Sequence, residues 1–233
     1  PAAIAPPRLP VPPMTTATSP LKSNRCFMST QLACLYKSTK AKRLGNVLGH
    51  LSMDGQDTIM SLSNVSWEAE FRKLFEVGSD RYQQGKREVS SFFQPEELEL
   101  LQRIGYRAQE MFDFLEDHVN YGAPDYATAY KVAVLRERYF REVQGGSWTG
   151  QVVAASQLPA KTDTMDGVAW FPRLVAKARA KLAGELDEPT MYGCAGDRPF
   201  LAGYGHTLDS FLEIVWKHGE NDEAILKALR QGP

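Results

Sequence analysis

The sequence predicts an all-α protein: a compact body of seven to eight helices, residues 60–233, behind a disordered N-terminal extension, residues 1–59. Three observations predict it. From Ser66 onward apolar residues recur at three- and four-residue spacing, residues that start and stop helices bracket those runs, and the composition changes abruptly near residue 59.

Seven of the first 20 residues are proline, and no acid precedes Asp54. Such a segment buries too little apolar surface to offset its ordering entropy. The chain begins with proline, while Met53 and Met60 stand just ahead of the periodic region. An over-extended reading frame with a natural start at Met60 is the reading preferred here. The alternative is an organelle transit peptide, which is also basic, Ser/Thr-rich and poor in acids.

The helices follow in order. Ser66 is expected to cap the first, with Trp67, Phe71, Leu74 and Phe75 inward, ending at Gly78 or at Gly85. Pro95-Glu96-Glu97 opens the next, since proline lacks only an N–H that has no partner there and acids suit the helix dipole. Its stripe is Leu98, Leu101 and Ile104, up to Gly105. Met111, Phe112, Leu115 and Val119 mark a helix ending near Gly122, and Asp125 caps another with Ala129, Val132, Ala133 and Leu135 as core. Residues 147–165 read as a long connection in which Val152-Val153-Ala154 is either a minor strand or a packed loop. Thr207 caps Leu208 to His218, and Asn221 or Asp222 caps the last helix.

The most strongly marked helix lies at 168–184. Pro172 belongs in a first turn, Gly184 is a left-handed stop, and Phe171, Leu174, Val175, Ala178 and Leu182 form one apolar stripe. Arg173, Lys177 and Lys181, four residues apart, form a basic stripe beside it: either solvated charge or an anion-facing ridge. After it, Tyr192-Gly193-Cys194-Ala195-Gly196 turns into a helix start at Asp197-Arg198-Pro199, where Asp197 reads as a cap. Arg198 has the planar guanidinium suited to carboxylate or phosphate, or to a structural pair with Asp166 or Glu188.

Charge excludes some functions. Residues 1–59 carry seven basic and two acidic residues, whereas the remainder carries 20 basic and 26 acidic. A body at −6 is a poor match for nucleic acid, and the acids of the 108–121 helix argue against a helix–turn–helix. No run of about 18 apolar residues suggests a membrane span. Three cysteines, two of them in the N-terminal segment, make no disulfide framework and suit a reducing, cytoplasmic setting. Metal motifs, phosphate loops, dinucleotide fingerprints and nucleophile elbows are missing, so neither a metal nor a cofactor is expected. Glu110, Asp113 and Asp117 share a helix face near His118 and read as solvated. Cys194 precedes a helix start, where a thiol becomes more nucleophilic, but only His206 is near in sequence to serve as base.

The stretches V-A-W-F-P-R-L-V-A-K-A-R-A-K-L-A-G (168–184), Y-G-C-A-G-D-R-P-F-L (192–201) and D-S-F-L-E-I-V-W-K-H-G-E-N-D-E-A-I-L (209–226) resemble a mainly bacterial family, domain of unknown function 5069. A-V-L-R-E-R-Y-F (133–140) and F-D-F-L-E-D-H-V (112–119) extend the resemblance over 62–232. It implies no reaction, cofactor or catalytic residue.

Two functions remain. One is a non-catalytic module that binds a protein partner or itself, motivated by Trp148, Trp170, Trp216 and Tyr204. The other is a binder of, or enzyme for, a small anionic metabolite, with Arg173, Lys177, Tyr192, Cys194, Asp197 and Arg198 as its site.

Overall fold

A computed structural model describes the backbone of residues 54–232 and the side chains of residues 67–232. Nine α-helices form among the described residues: α1 Asp54–Gln83, α2 Val89–Phe92, α3 Pro95–Arg103, α4 Ala108–Tyr121, α5 Tyr126–Glu142, α6 Phe171–Ala183, α7 Asp197–Gly203, α8 Leu208–His218 and α9 Asp222–Gln231. The all-α class holds. Both readings of the N-terminal extension concern residues that lie almost entirely outside the described part.

Helix α1 corrects its expected start and follows the later of its two expected ends. Ser66 sits inside it rather than capping it, and it runs through Gly78 to Gln83, with Gly85 left-handed just beyond (φ 91°). Gly78 lies against Leu115, where a Cβ would come within 2.5 Å of a leucine methyl, so this glycine serves helix contact and not termination.

Local signals placed most other ends. Gln94 N–H donates to Glu97 Oε2 at 2.8 Å at the start of α3. Asp125 accepts from Thr128 N–H at 2.8 Å, and hydrogen bonding from the Thr128 side chain and backbone together holds its carboxyl below the usual range. Thr207 and Asn221 accept from Ser210 N–H and Ala224 N–H at the starts of α8 and α9. In α3, Leu98 is exposed and Leu100 is buried beside Leu101 and Ile104, so the apolar stripe is shifted from the expected one.

The core is one cluster. Helix α8 packs on α5, α6, α7 and α9, and α6 lies on α5. Phe171, Leu174, Ala178, Phe211, Leu212 and Ile225 are fully buried there, and Phe71, Met111, Leu115 and Val132 continue the cluster through α1, α4 and α5.

The connection before α6 is more structured than expected. Val153 N–H donates to Glu185 O at 2.7 Å in a single parallel bridge with Leu186. Strands β1 (Thr164–Met165) and β2 (Val168–Ala169) then make an antiparallel hairpin closed by Asp166 and Gly167, both at positive φ. An Asp-Gly pair suits such a two-residue turn because both central residues must be left-handed. Trp170 (φ 71°) turns the chain from this hairpin into α6.

Candidate functional site

Helices α6 and α7 and the glycine turn between them build a buried ionic node. Gly193 (φ 89°) lets the turn lie against Leu208, where a Cβ would meet a methyl at 2.6 Å. The backbone then folds back, with Asp197 N–H and Arg198 N–H both reaching Cys194 O, at 3.0 and 3.2 Å. Asp197 therefore lies inside α7, and its carboxylate points back under the turn instead of capping the helix.

That carboxylate is fully buried and well supplied with donors. Gly193 N–H (2.9 Å), Cys194 N–H (3.3 Å) and Trp170 Nε1–H (3.0 Å) all donate to it. The Lys177 ammonium, 3% exposed, completes the pair and also stands 3.4 Å from Cys194 Sγ. A buried charge persists only when it is paired and hydrogen-bonded, and this one is both.

The remaining predicted residues are engaged nearby. Arg198 donates to Asp117 Oδ2 at 2.7 Å and to Gly193 O at 2.6 Å, so its partner is neither Asp166 nor Glu188. Asp166 instead pairs with Arg230. Tyr192 is buried, donates to Leu208 O at 2.8 Å, and has its phenol pushed well up by burial. Arg173 donates to Pro159 O at 2.8 Å and ties the preceding connection to α6. Lys177, Cys194 and Asp197 thus meet at one point, Tyr192 and Arg198 brace the turn, and Arg173 belongs elsewhere. His206 is held by Ser210 and Leu229 O, through Nδ1 and Nε2 respectively.

The third cation of the α6 stripe is also buried. Lys181, 1% exposed, lies 3.0 Å from Glu110 Oε1 and 3.9 Å from the Tyr106 ring centroid, and burial lowers its pKa. Asp113 is half-buried beside it, and burial raises its carboxyl to about 6. The basic stripe of α6 is therefore not solvated, and neither is the acidic face of α4. They meet directly at Lys181 and Glu110.

A different surface is open. The end of α5, the loop behind it, α6 and α8 enclose a groove of about 900 Å³ with Tyr139, Trp148 and Trp216 in its walls. Trp148 is 36% exposed, and Val143 and Val152 are each 54% exposed along the same stretch. These are three of the five large apolar side chains exposed among the described residues. Beneath Trp148 lies Arg136, fully buried, donating to Gln144 Oε1 at 2.8 Å and to Ala183 O at 3.4 Å. Its guanidinium is 5.2 Å from the Trp148 ring and 5.1 Å from Phe140, and burial lowers its pKa to about 10. The sequence flagged Trp148 and Trp216 as partner-binding aromatics.

Among the described residues no three Asp, Glu, His or Cys side chains lie close enough to hold a metal ion. No described helix is long and apolar enough to cross a membrane.

Comparison with known proteins agrees with the resemblance but over a shorter span. The family match covers residues 156–232, which contain α6 to α9, the ionic node and one wall of the groove; α1 to α5 lie outside it. No curated protein and no solved structure matches the chain. Residues 156–232 match the model of the family described as a domain of unknown function, DUF5069.

Proposed function

We propose that the chain is a non-catalytic helical module for protein interaction, and that its groove receives an extended, proline-rich segment of a partner. The observation that carries this reading is the exposure of Val143 and Trp148 in the lining of an aromatic-walled groove. Contiguous exposed apolar surface of this kind marks interaction sites. A groove fits a narrow occupant better than a flat one. Proline-rich segments dock on aromatic walls because their extended helix is preformed and little entropy is lost on binding. A cytoplasmic setting accords with this reading, since Cys194 is a free thiol.

The anionic-metabolite reading has less support, because Arg173, Lys177 and Arg198 already hold acceptors of their own. The test is a tryptophan-fluorescence titration of the full chain with a deca-proline peptide, beside a composition-matched alanine/serine peptide. Saturable quenching by deca-proline alone, lost in Trp148→Ala, is expected. No quenching overturns the proposal. A concentration-dependent dimer that Trp148→Ala dissolves would make a second copy of the chain the occupant instead.

A further inference from the structure

Lys177 Nζ donates to Cys194 Sγ at 3.4 Å while it pairs with the Asp197 carboxylate, so a thiol, an amine and a base form one chain of contacts. The members of that chain differ in their access to water. The Lys177 and Asp197 side chains are 4% and 0% exposed, whereas Cys194 is half-buried and is followed by exposed Ala195. The thiol is therefore the member that a dissolved reagent meets first.

A cysteine alone would carry nothing, but here a neighbouring side chain sets the fate of an oxidised sulfur. A sulfenic acid condenses with a thiol or with a nitrogen. Cys194 is the only cysteine among the described residues, so no described thiol competes, and the nitrogen in side-chain contact with it is Lys177 Nζ. An amine outcompetes the adjacent backbone nitrogens, whose lone pairs are delocalised into the peptide bond. An ammonium has no lone pair to offer, and Asp197 is the base already in place to free one. That proton transfer leaves both groups neutral, the form in which burial is least costly.

We propose that Cys194 and Lys177 form a hydroperoxide-dependent covalent link, a sulfenamide that ties the glycine turn to α6. In the first step the thiol sulfur attacks a peroxide oxygen. The S–O bond forms, the O–O bond breaks, sulfur gives up an electron pair, and the thiol proton leaves with the displaced oxygen as an alcohol or water. In the second step Asp197 takes one proton from the Lys177 ammonium and the freed nitrogen pair attacks sulfur. The S–N bond forms, the S–O bond breaks, and the departing hydroxide takes a second proton from the nitrogen to leave as water. The peroxide is reduced, the sulfur is oxidised, and the node stays neutral overall, as the ion pair was. The flexible four-carbon stem of Lys177 lets Nζ close the remaining gap. This inference rests on no part of the groove reading.

Peptide mapping by mass spectrometry, on the folded full chain treated with hydrogen peroxide, tests this. The expected product joins the Lys177 and Cys194 peptides at a mass two hydrogen atoms below their sum, and dithiothreitol returns both peptides. Dimedone, which traps sulfenic acids, should label Cys194 and lower the yield of the link at least threefold. Lys177→Arg keeps a cation for Asp197 but removes the amine, so the link should vanish and sulfinic acid at Cys194 should rise at least threefold. Should that variant fail to fold, the parent in urea replaces it: peroxide should then oxidise Cys194 without joining it to Lys177, because the contact exists only in the fold. The proposal is overturned if the folded parent yields no joined peptide, or if the joined peptide forms equally in urea. It is also overturned if folded Lys177→Arg accumulates no more sulfinic acid than the parent.

Discussion

Lys177 of α6 and Asp197 of α7 form an ion pair in which both groups are buried, and the same carboxylate collects the N–H groups of Gly193, Cys194 and Trp170. One side chain therefore fastens α6, the glycine turn and the hairpin residue that precedes α6. Removing either partner strands the other charge away from water, at a cost of about 3–5 kcal/mol. Lys177→Met and Asp197→Asn should each lower unfolding free energy by about that amount in urea titrations followed by circular dichroism. The double variant should cost clearly less than the sum, by about 1–3 kcal/mol. Strict additivity would show that the pair is not coupled.

Asp113 makes stability depend on pH with the opposite sign to a salt-bridged carboxylate. Burial raises its folded pKa from the ordinary 3.8 to about 6, so between those values the folded state binds the proton more tightly than the unfolded state. Its contribution to stability is greatest at low pH and is lost as pH rises from about 4 to 6. The groups facing it are Gln109, Glu110 and Glu116 of its own helix and Lys181 of α6. Asp113→Asn should therefore be more stable than the parent at pH 7, by at most about 3 kcal/mol, and should gain nothing at pH 3.5. A thermal-melt series from pH 3.5 to 8 reads the difference between the two proteins. An equal gain at every pH would refute the assignment.

Gly184 and Gly122 both end helices in the left-handed region, at φ 69° and 72°. Their surroundings differ. A Cβ on Gly184 would sit 2.5 Å from Arg136 Nη2 and 2.8 Å from Trp148 Cζ3, whereas one on Gly122 would meet nothing within 4 Å. Gly122→Ala should cost only the backbone penalty, about 1–2 kcal/mol. Gly184→Ala should cost about 1–3 kcal/mol more, because Arg136 has no room to give. Chemical denaturation of both variants checks the comparison, and equal losses would mean that the Arg136 pocket yields freely.

Trp148 covers the buried Arg136 guanidinium while leaving over a third of its own surface open to solvent. Trp148→Ala should lower stability by about 1–2 kcal/mol through lost cation–π contact and exposure of that charge. Trp148→Phe should recover part of the loss, since a flat ring remains over the guanidinium. Melting temperatures of the three proteins decide this, and an alanine variant as stable as the parent would show that Arg136 does not need its cover.

The sequence by itself determined what is short-range. Helical class, the stops at Gly105, Gly122, Gly184 and Gly219, and the caps at Asp125, Thr207 and Asn221 were legible because each depends on a handful of adjacent residues. The Asp166-Gly167 turn was equally local, and its signature between Thr164-Met165 and Val168-Ala169 went unread. The start of α1 was misjudged at Ser66, because a serine that fits a cap also fits the middle of a long helix when packing holds that helix.

Only the tertiary structure decided which charges are buried. A lysine every four residues looks the same on a wet face as on one turned toward an acid, so periodicity placed Arg173, Lys177 and Lys181 on one stripe without showing what that stripe faces. Glu110 on α4 and Asp197 on α7 are its counterparts, and they meet Lys181 and Lys177 across long sequence separations. The same holds for the groove: Tyr139, Trp148 and Trp216 become neighbours because α5, the following loop and α8 pack side by side. Local patterns record what a residue does to its own turn of chain, and burial depends on the opposing surface, which no local pattern contains.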